Sequence, residues 1–261
     1  MAGFTQPEIL LLLKLVLAHC LSDFALQPTA WVENRARRKF RSRKLYYHIG
    51  ITGVVTFLLS QSWQLALWIT VTHLLIDLWK AYQKCTTLYF LIDQLLHFLM
   101  LGVGWLYYVN GHLAPDVVLN NYRFMVYLTG FFIATFPLSI VIKVLTAKWG
   151  TGNKRRPKPM KDTAEDNSLE GPKVPAVPED SRWNELKEAG RWIGIIERVL
   201  IISFVLLDQY EAIGFLVAAK TIIRFKETDQ RKSEYFLFGT LLSISLSIFL
   251  ALVMKMALGL E

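Results

Sequence analysis

Apolar runs separated by short polar breaks recur along the whole chain, at about 7–27, 46–60, 63–82, 88–108, 122–147, 193–207, 212–225 and 235–258. Most approach the ~20 residues that carry a helix across a bilayer. The pattern predicts an all-α polytopic membrane protein with about eight transmembrane helices. The run at 212–225 is short for a span, so seven spans plus a re-entrant segment is the alternative. Thr5 and Pro7 mark the start of the first helix, and Pro28 follows its end.

The polar breaks divide the chain into three parts. Residues 1–148 hold five helices. Residues 149–182 are rich in Pro, Gly and mixed charge and read as a disordered linker. Residues 183–261 hold the remaining helices, with basic residues gathered at their ends.

Composition agrees with the pattern: 53% of the 261 residues are apolar, with 16 Phe, 10 Tyr and 8 Trp. The net charge of +8 would otherwise suggest nucleic acid, but the cations cluster in a few breaks between helices, as they do on the cytoplasmic side of membrane proteins. The densest run is Arg35–Lys44. Placing it in the cytoplasm puts Lys80 and Lys84, the 148–161 run and the 224–232 run there too, and the linker with them. Cys20 and Cys85 lie in different segments and imply no disulfide framework.

Within the apolar runs stand ionisable residues, which are costly in a membrane and mark a functional interior. His19/Asp23, His73/Asp77 and Asp93/His97 are each four apart, so each pair shares one helix face. The third pair is reversed in order and falls on the antiparallel helix. All three histidines are therefore expected in one layer, with the aspartates about one turn closer to the cytoplasm. His48 joins the aspartate level. Imidazole and carboxylate together suit a divalent metal, Zn, Mn or Fe. His19, Asp23, His73, Asp77, Asp93 and His97 are the candidate ligands. One ion with outer aspartates, or two ions sharing a carboxylate, both fit this set.

A second group lies in the last third: Arg191, Arg198, Lys220 and Arg224. Facing the His/Asp layers, these cations would clamp a phosphate.

His19-Cys-Leu-Ser-Asp23-Phe-Ala-Leu-Gln27, Thr72-His73-Leu-Leu-Ile-Asp77-Leu-Trp-Lys80, Asp93-Gln94-Leu-Leu-His97 and Gly190-Arg-Trp-Ile-Gly-Ile-Ile-Glu-Arg198 together resemble the bacterial membrane proteins grouped as domain of unknown function 3307. The resemblance covers nearly the whole chain except the linker, and it brings no activity with it. The first four helices are also similar, more loosely, to the YdjM-type membrane-bound metal-dependent hydrolases. These resemblances imply a multi-pass protein of the inner membrane.

The expectation that joins these readings is a metal-dependent hydrolase at the cytoplasmic membrane face, acting on a phosphoester or pyrophosphate of a lipid. In it Asp77, Asp93 or His48 moves the proton. The alternatives are a carrier coupled to protons or a divalent cation, and a non-catalytic membrane scaffold. The outer halves of the helices are almost wholly apolar, and the second half holds no copy of the His/Asp motifs, which favours the enzyme.

Overall fold

A computed structural model describes residues 4–110, 121–147, 179–224 and 230–260. The described residues are helical and contain no strand. Helix α1 (Gln6–Cys20) opens with Pro7 in its first turn, and the Thr5 amide donates to the Glu8 carboxylate at 2.6 Å. It continues into a π-helical turn, Leu21–Ala25, rather than running as α-helix to Gln27. Such turns hold one extra residue per bond and gather at functional sites. This one contains Asp23.

After Pro28 the chain turns by 82° into α2 (Thr29–Arg38) and a short 3-10 turn, Lys39–Arg41. The basic run read as an open loop is thus partly a helix folded back against its neighbours. Ser42 then starts α3 (Arg43–Ser60): its hydroxyl accepts from the Leu45 amide at 3.3 Å and donates to Asn34 Oδ1 at 2.8 Å, tying the new helix to α2.

Two residues separate α3 from α4 (Trp63–Ala81), with Gln61 in the left-handed conformation (φ 54°) and Ser62 capping the Leu65 amide. A connection this short makes the two helices antiparallel neighbours. Their approach is close, since a Cβ on Gly53 would stand 2.6 Å from Thr70 Oγ1. Helix α5 (Thr87–Asn110) returns against α4. A Cβ on Gly104 would meet Trp68 Cδ1 at 2.5 Å, and the Trp68 indole N–H donates to the Met100 carbonyl at 2.9 Å.

The remaining helices are α6 (Tyr122–Thr135), α7 (Pro137–Thr146), α8 (Glu179–Leu206), α9 (Tyr210–Arg224) and α10 (Gln230–Leu258). Pro137, which lacks an N–H, separates α6 from α7 in what the sequence reads as one span. Helix α8 begins at Glu179, inside the segment expected to be linker; the rest of that segment, to 178, lies outside the described residues.

Packing follows from which faces are apolar. Leu11 and Leu15 of α1 pack on Leu65 and Ile69 of α4 and on Leu101 and Trp105 of α5. On its other side, Leu10 and Leu17 pack on Met125 of α6. A third cluster joins Val126, Ile202, Val205, Ile213 and Met254 of α6, α8, α9 and α10. Helix α1 therefore links α3–α5 to the C-terminal helices.

Among the described residues, three helical stretches are long and apolar enough to cross a membrane, Thr87–Asn110, Tyr122–Thr146 and Leu237–Leu258, and Gln6–Ala25 with Thr29–Arg41 qualifies as a bent pair. The count of eight is not met by this measure. Helices α3 and α4 carry the buried polar residues, and α9 spans 15 residues. The polarity is nevertheless inside out. Lys14, His48, His73 and Asp77 are at most 2% exposed, while Leu67, Leu75 and Leu95 are 56–68% exposed. Lipid is the solvent in which that arrangement costs least.

Candidate metal centre

Four helices aim polar side chains at one point. His19 comes from the last turn of α1, Asp23 from the π turn, His48 from the second turn of α3, His73 and Asp77 from α4, and Asp93 and His97 from α5. All but Asp23 are among the buried residues. The imidazole rings form a compact group: centroids lie 4.1 Å apart for His73 and His97, 5.1 Å for His19 and His97, 5.1 Å for His48 and His73, and 5.7 Å for His19 and His73.

Around Asp23 Oδ1 stand His73 Nε2 at 3.2 Å, His48 Nε2 at 3.4 Å and His19 Nδ1 at 3.8 Å. The two nitrogens His48 Nε2 and His73 Nε2 are 3.0 Å apart. Asp77 Oδ2 lies 3.5 Å from His48 Nε2 and 3.9 Å from His73 Nε2. Donor atoms bonded to one tetrahedral ion at about 2.0–2.2 Å stand roughly 3.3–3.6 Å from one another. The observed spacings bracket that value. Lone pairs this close repel unless a proton or a cation lies among them.

Three overlapping triads could each hold an ion, His19/Asp23/His97, Asp23/His48/His73 and His73/Asp77/His97. Each of Asp23, His73 and His97 belongs to two of them.

The tautomers are set by the partners of the far nitrogens. His97 Nδ1 donates to the Asp93 carbonyl at 2.9 Å, because a carbonyl only accepts. Its Nε2 is therefore the lone-pair nitrogen, and it is buried with no hydrogen-bond partner among the described residues. Metal-ligating histidines have this form, one nitrogen oriented by an acceptor and the other presented to the ion. His19 Nε2 donates to Gln94 Oε1 at 3.4 Å, leaving Nδ1 on the Asp23 side. A void of about 10 Å³ lies against His19, His73 and His97, about the least space that holds one water.

Asp93 stands apart from the other expected ligands. Its carboxylate lies 3.4 Å from Lys80 Nζ and accepts from Gln94 Nε2 at 3.3 Å, and it is in none of the three triads. It reaches the site through its backbone, by orienting His97. Lys80 also donates to the Tyr89 carbonyl at 2.8 Å, across the α4–α5 turn.

Two of the C-terminal cations are used elsewhere. Arg198 Nε donates to the Ala134 carbonyl at 2.6 Å and its Nη2 to Ser139 Oγ, so it holds α8 to the break at Pro137. Lys220 pairs with Glu197, joining α9 to α8. Arg191 is exposed, and the side chain of Arg224 lies outside the described residues. No hydrogen bond or ion pair among the described residues connects Arg191, Arg198 or Lys220 to the His/Asp group. Of the residues expected to form a phosphate clamp, Arg198 and Lys220 thus fasten helices together and Arg191 faces outward.

Besides Lys80, the cation that reaches the group is Arg35, whose guanidinium pairs with Asp77. The sequence shows it only as the first residue of the basic run Arg35–Lys44 between two helices. The usable signal was Pro28 followed by a ten-residue helix with Arg35 on the face opposite Arg37.

No curated protein and no solved structure matches the chain. Residues 11–126 match the model of a family described as protein of unknown function (DUF3307). That stretch holds every His and Asp of the cluster and also Arg35, whereas Gly190–Arg198 lies beyond it. Through the segment that builds the site, the chain is similar to the DUF3307 family.

Proposed function

We propose that this protein is a metal-dependent hydrolase of the inner membrane, acting at the cytoplasmic face on a phosphoester or pyrophosphate group carried by a lipid. The observation that carries the proposal is the convergence of His19, Asp23, His48, His73, Asp77 and His97 at metal-ligand spacing, with His97 Nε2 buried and unpartnered among the described residues. A divalent ion, Zn, Mn or Fe, supplies an activated water and a Lewis acid at such a site. Asp23, His73 and His97, each shared by two of the triads, would hold it, with His19 beside them. His48 lies between Asp23 and Asp77 and has a buried Nδ1 without a hydrogen-bond partner, which suits a group that takes up and passes on a proton.

The topology that goes with this reading has eight crossings. The 1–148 segment forms the catalytic half and the 183–261 segment a supporting half. The aspartates, Arg35 and the basic breaks are cytoplasmic.

One observation favours a proton-coupled carrier instead: the contact between His48 and His73 beside two carboxylates is a chain of exchangeable proton sites. Against it, Leu11, Leu15, Leu65, Ile69, Leu101 and Trp105 pack together on the far side of the histidine layer, where the buried polar groups are Lys14 of α1 and the hydroxyls of Thr52, Thr56 and Ser60 on α3. Elemental analysis of the purified protein decides between them. Near-stoichiometric metal in wild type that is lost in a His73→Ala/His97→Ala variant supports the hydrolase. Absence of metal in both, even after reloading, returns the cluster to proton relay.

A further inference from the structure

Resting on the hydrolase reading, we infer that Arg35 is the residue that recognises the phosphoryl group of the substrate, in place of the C-terminal cations. Arg35 is 8% exposed, and its one ion-pair partner among the described residues is Asp77. A guanidinium carries five N–H donors in a planar fork. Asp77 engages Nη1, and no hydrogen bond among the described residues uses Nε or Nη2 of that fork. An under-satisfied buried cation beside metal-ligand residues fits an oxygen-rich anion, which accepts from the fork in bidentate fashion.

The fold delivers Arg35 there deliberately. The 82° bend lays α2 across the end of the helix group, so that Arg35 points inward while Arg37, Arg38, Arg41 and Arg43 stay exposed. Nearby, Lys44 Nζ lies 5.4 Å from the ring centres of both Trp31 and Tyr47, an aromatic and cationic rim of the kind found at the headgroup level. A phosphoryl group arriving from that rim meets Arg35 before it meets Asp23 and the histidines. Arg35 and Lys80 also give the carboxylates Asp77 and Asp93 their counter-charges, and an incoming anion would share the first of these.

The test uses the full chain, wild type beside Arg35→Lys, which keeps the charge but not the fork, and Arg35→Met/Asp77→Leu, which removes both buried charges together. Metal content is read first and separately. Binding of inorganic pyrophosphate is then followed by calorimetry in detergent, and retention of phosphatidic acid by mass spectrometry after nanodisc reconstitution. The expected result is unchanged metal content in Arg35→Lys with about ten- to a hundredfold weaker pyrophosphate binding. Loss of phosphatidic acid retention together with pyrophosphate binding identifies a lipid headgroup as the source. Loss of pyrophosphate binding alone identifies a free phosphoryl compound. Wild-type affinity in both Arg35 variants overturns the assignment whatever the metal content, whereas absent metal in wild type overturns the hydrolase reading.

Discussion

His97 is held by Asp93 through the backbone and not through the carboxylate: Nδ1 donates to the Asp93 carbonyl at 2.9 Å, while the nearest carboxylate oxygen is 3.7 Å away. The i→i−4 geometry of α5 supplies this orientation without any other helix. It separates the two aspartates that the sequence treats alike. Asp23→Asn is expected to remove most of the bound metal. Asp93→Asn leaves the carbonyl in place and should weaken binding by no more than about ten- to a hundredfold. Equal losses in the two variants, measured by metal titration, would place Asp93 among the direct ligands.

The Arg35–Asp77 pair predicts a stability effect distinct from any effect on chemistry. Both side chains are buried, so removing one leaves an uncompensated charge. Asp77→Asn should lower unfolding stability by about 3–5 kcal/mol. Arg35→Met/Asp77→Leu should recover most of that loss. Thermal unfolding of the three proteins in one detergent checks this, and a double variant as unstable as Asp77→Asn would refute it.

The close crossing of α4 and α5 makes Gly104 a packing residue. Gly104→Val places methyl groups where Trp68 lies and should cost about 1–3 kcal/mol. Trp68 provides the readout: the substitution should shift its fluorescence as the indole leaves the Met100 carbonyl. An unchanged spectrum and unchanged stability would mean that the crossing is looser than described.

Topology can be read with a native thiol. Cys85 is exposed in the α4–α5 turn, and Cys20 is buried. Ser42, which the basic run suggests as a labelling position, is buried and caps α3, so it is a poor choice. A membrane-impermeant maleimide should leave Cys85 unlabelled in intact cells and label it once the membrane is opened. A His112→Cys variant, at a position outside the described residues, should label in intact cells. Labelling of Cys85 from outside would reverse the orientation proposed for the site.

Much of this protein was legible in its sequence, because helix periodicity and membrane cost are local properties. The apolar runs placed the helices. The four-residue spacing placed His and Asp on shared faces, and the reversal at Asp93/His97 suited an antiparallel neighbour. Thr5, Pro7 and Pro28 marked the ends of the first helical segment. What periodicity cannot carry is the partner chosen across space. The 82° bend that turns Arg35 inward depends on where α2 finds Asp77. Asp93 turns to Lys80 because the α4–α5 turn puts that cation nearer than the histidines of α1 and α3. Arg198 donates to the Ala134 carbonyl at the α6–α7 break, far away in the chain. Spacing along the chain therefore decided which residues share a face, and the tertiary structure alone decided which charges compensate one another, since buried charge is settled by whatever opposite group packing brings nearest.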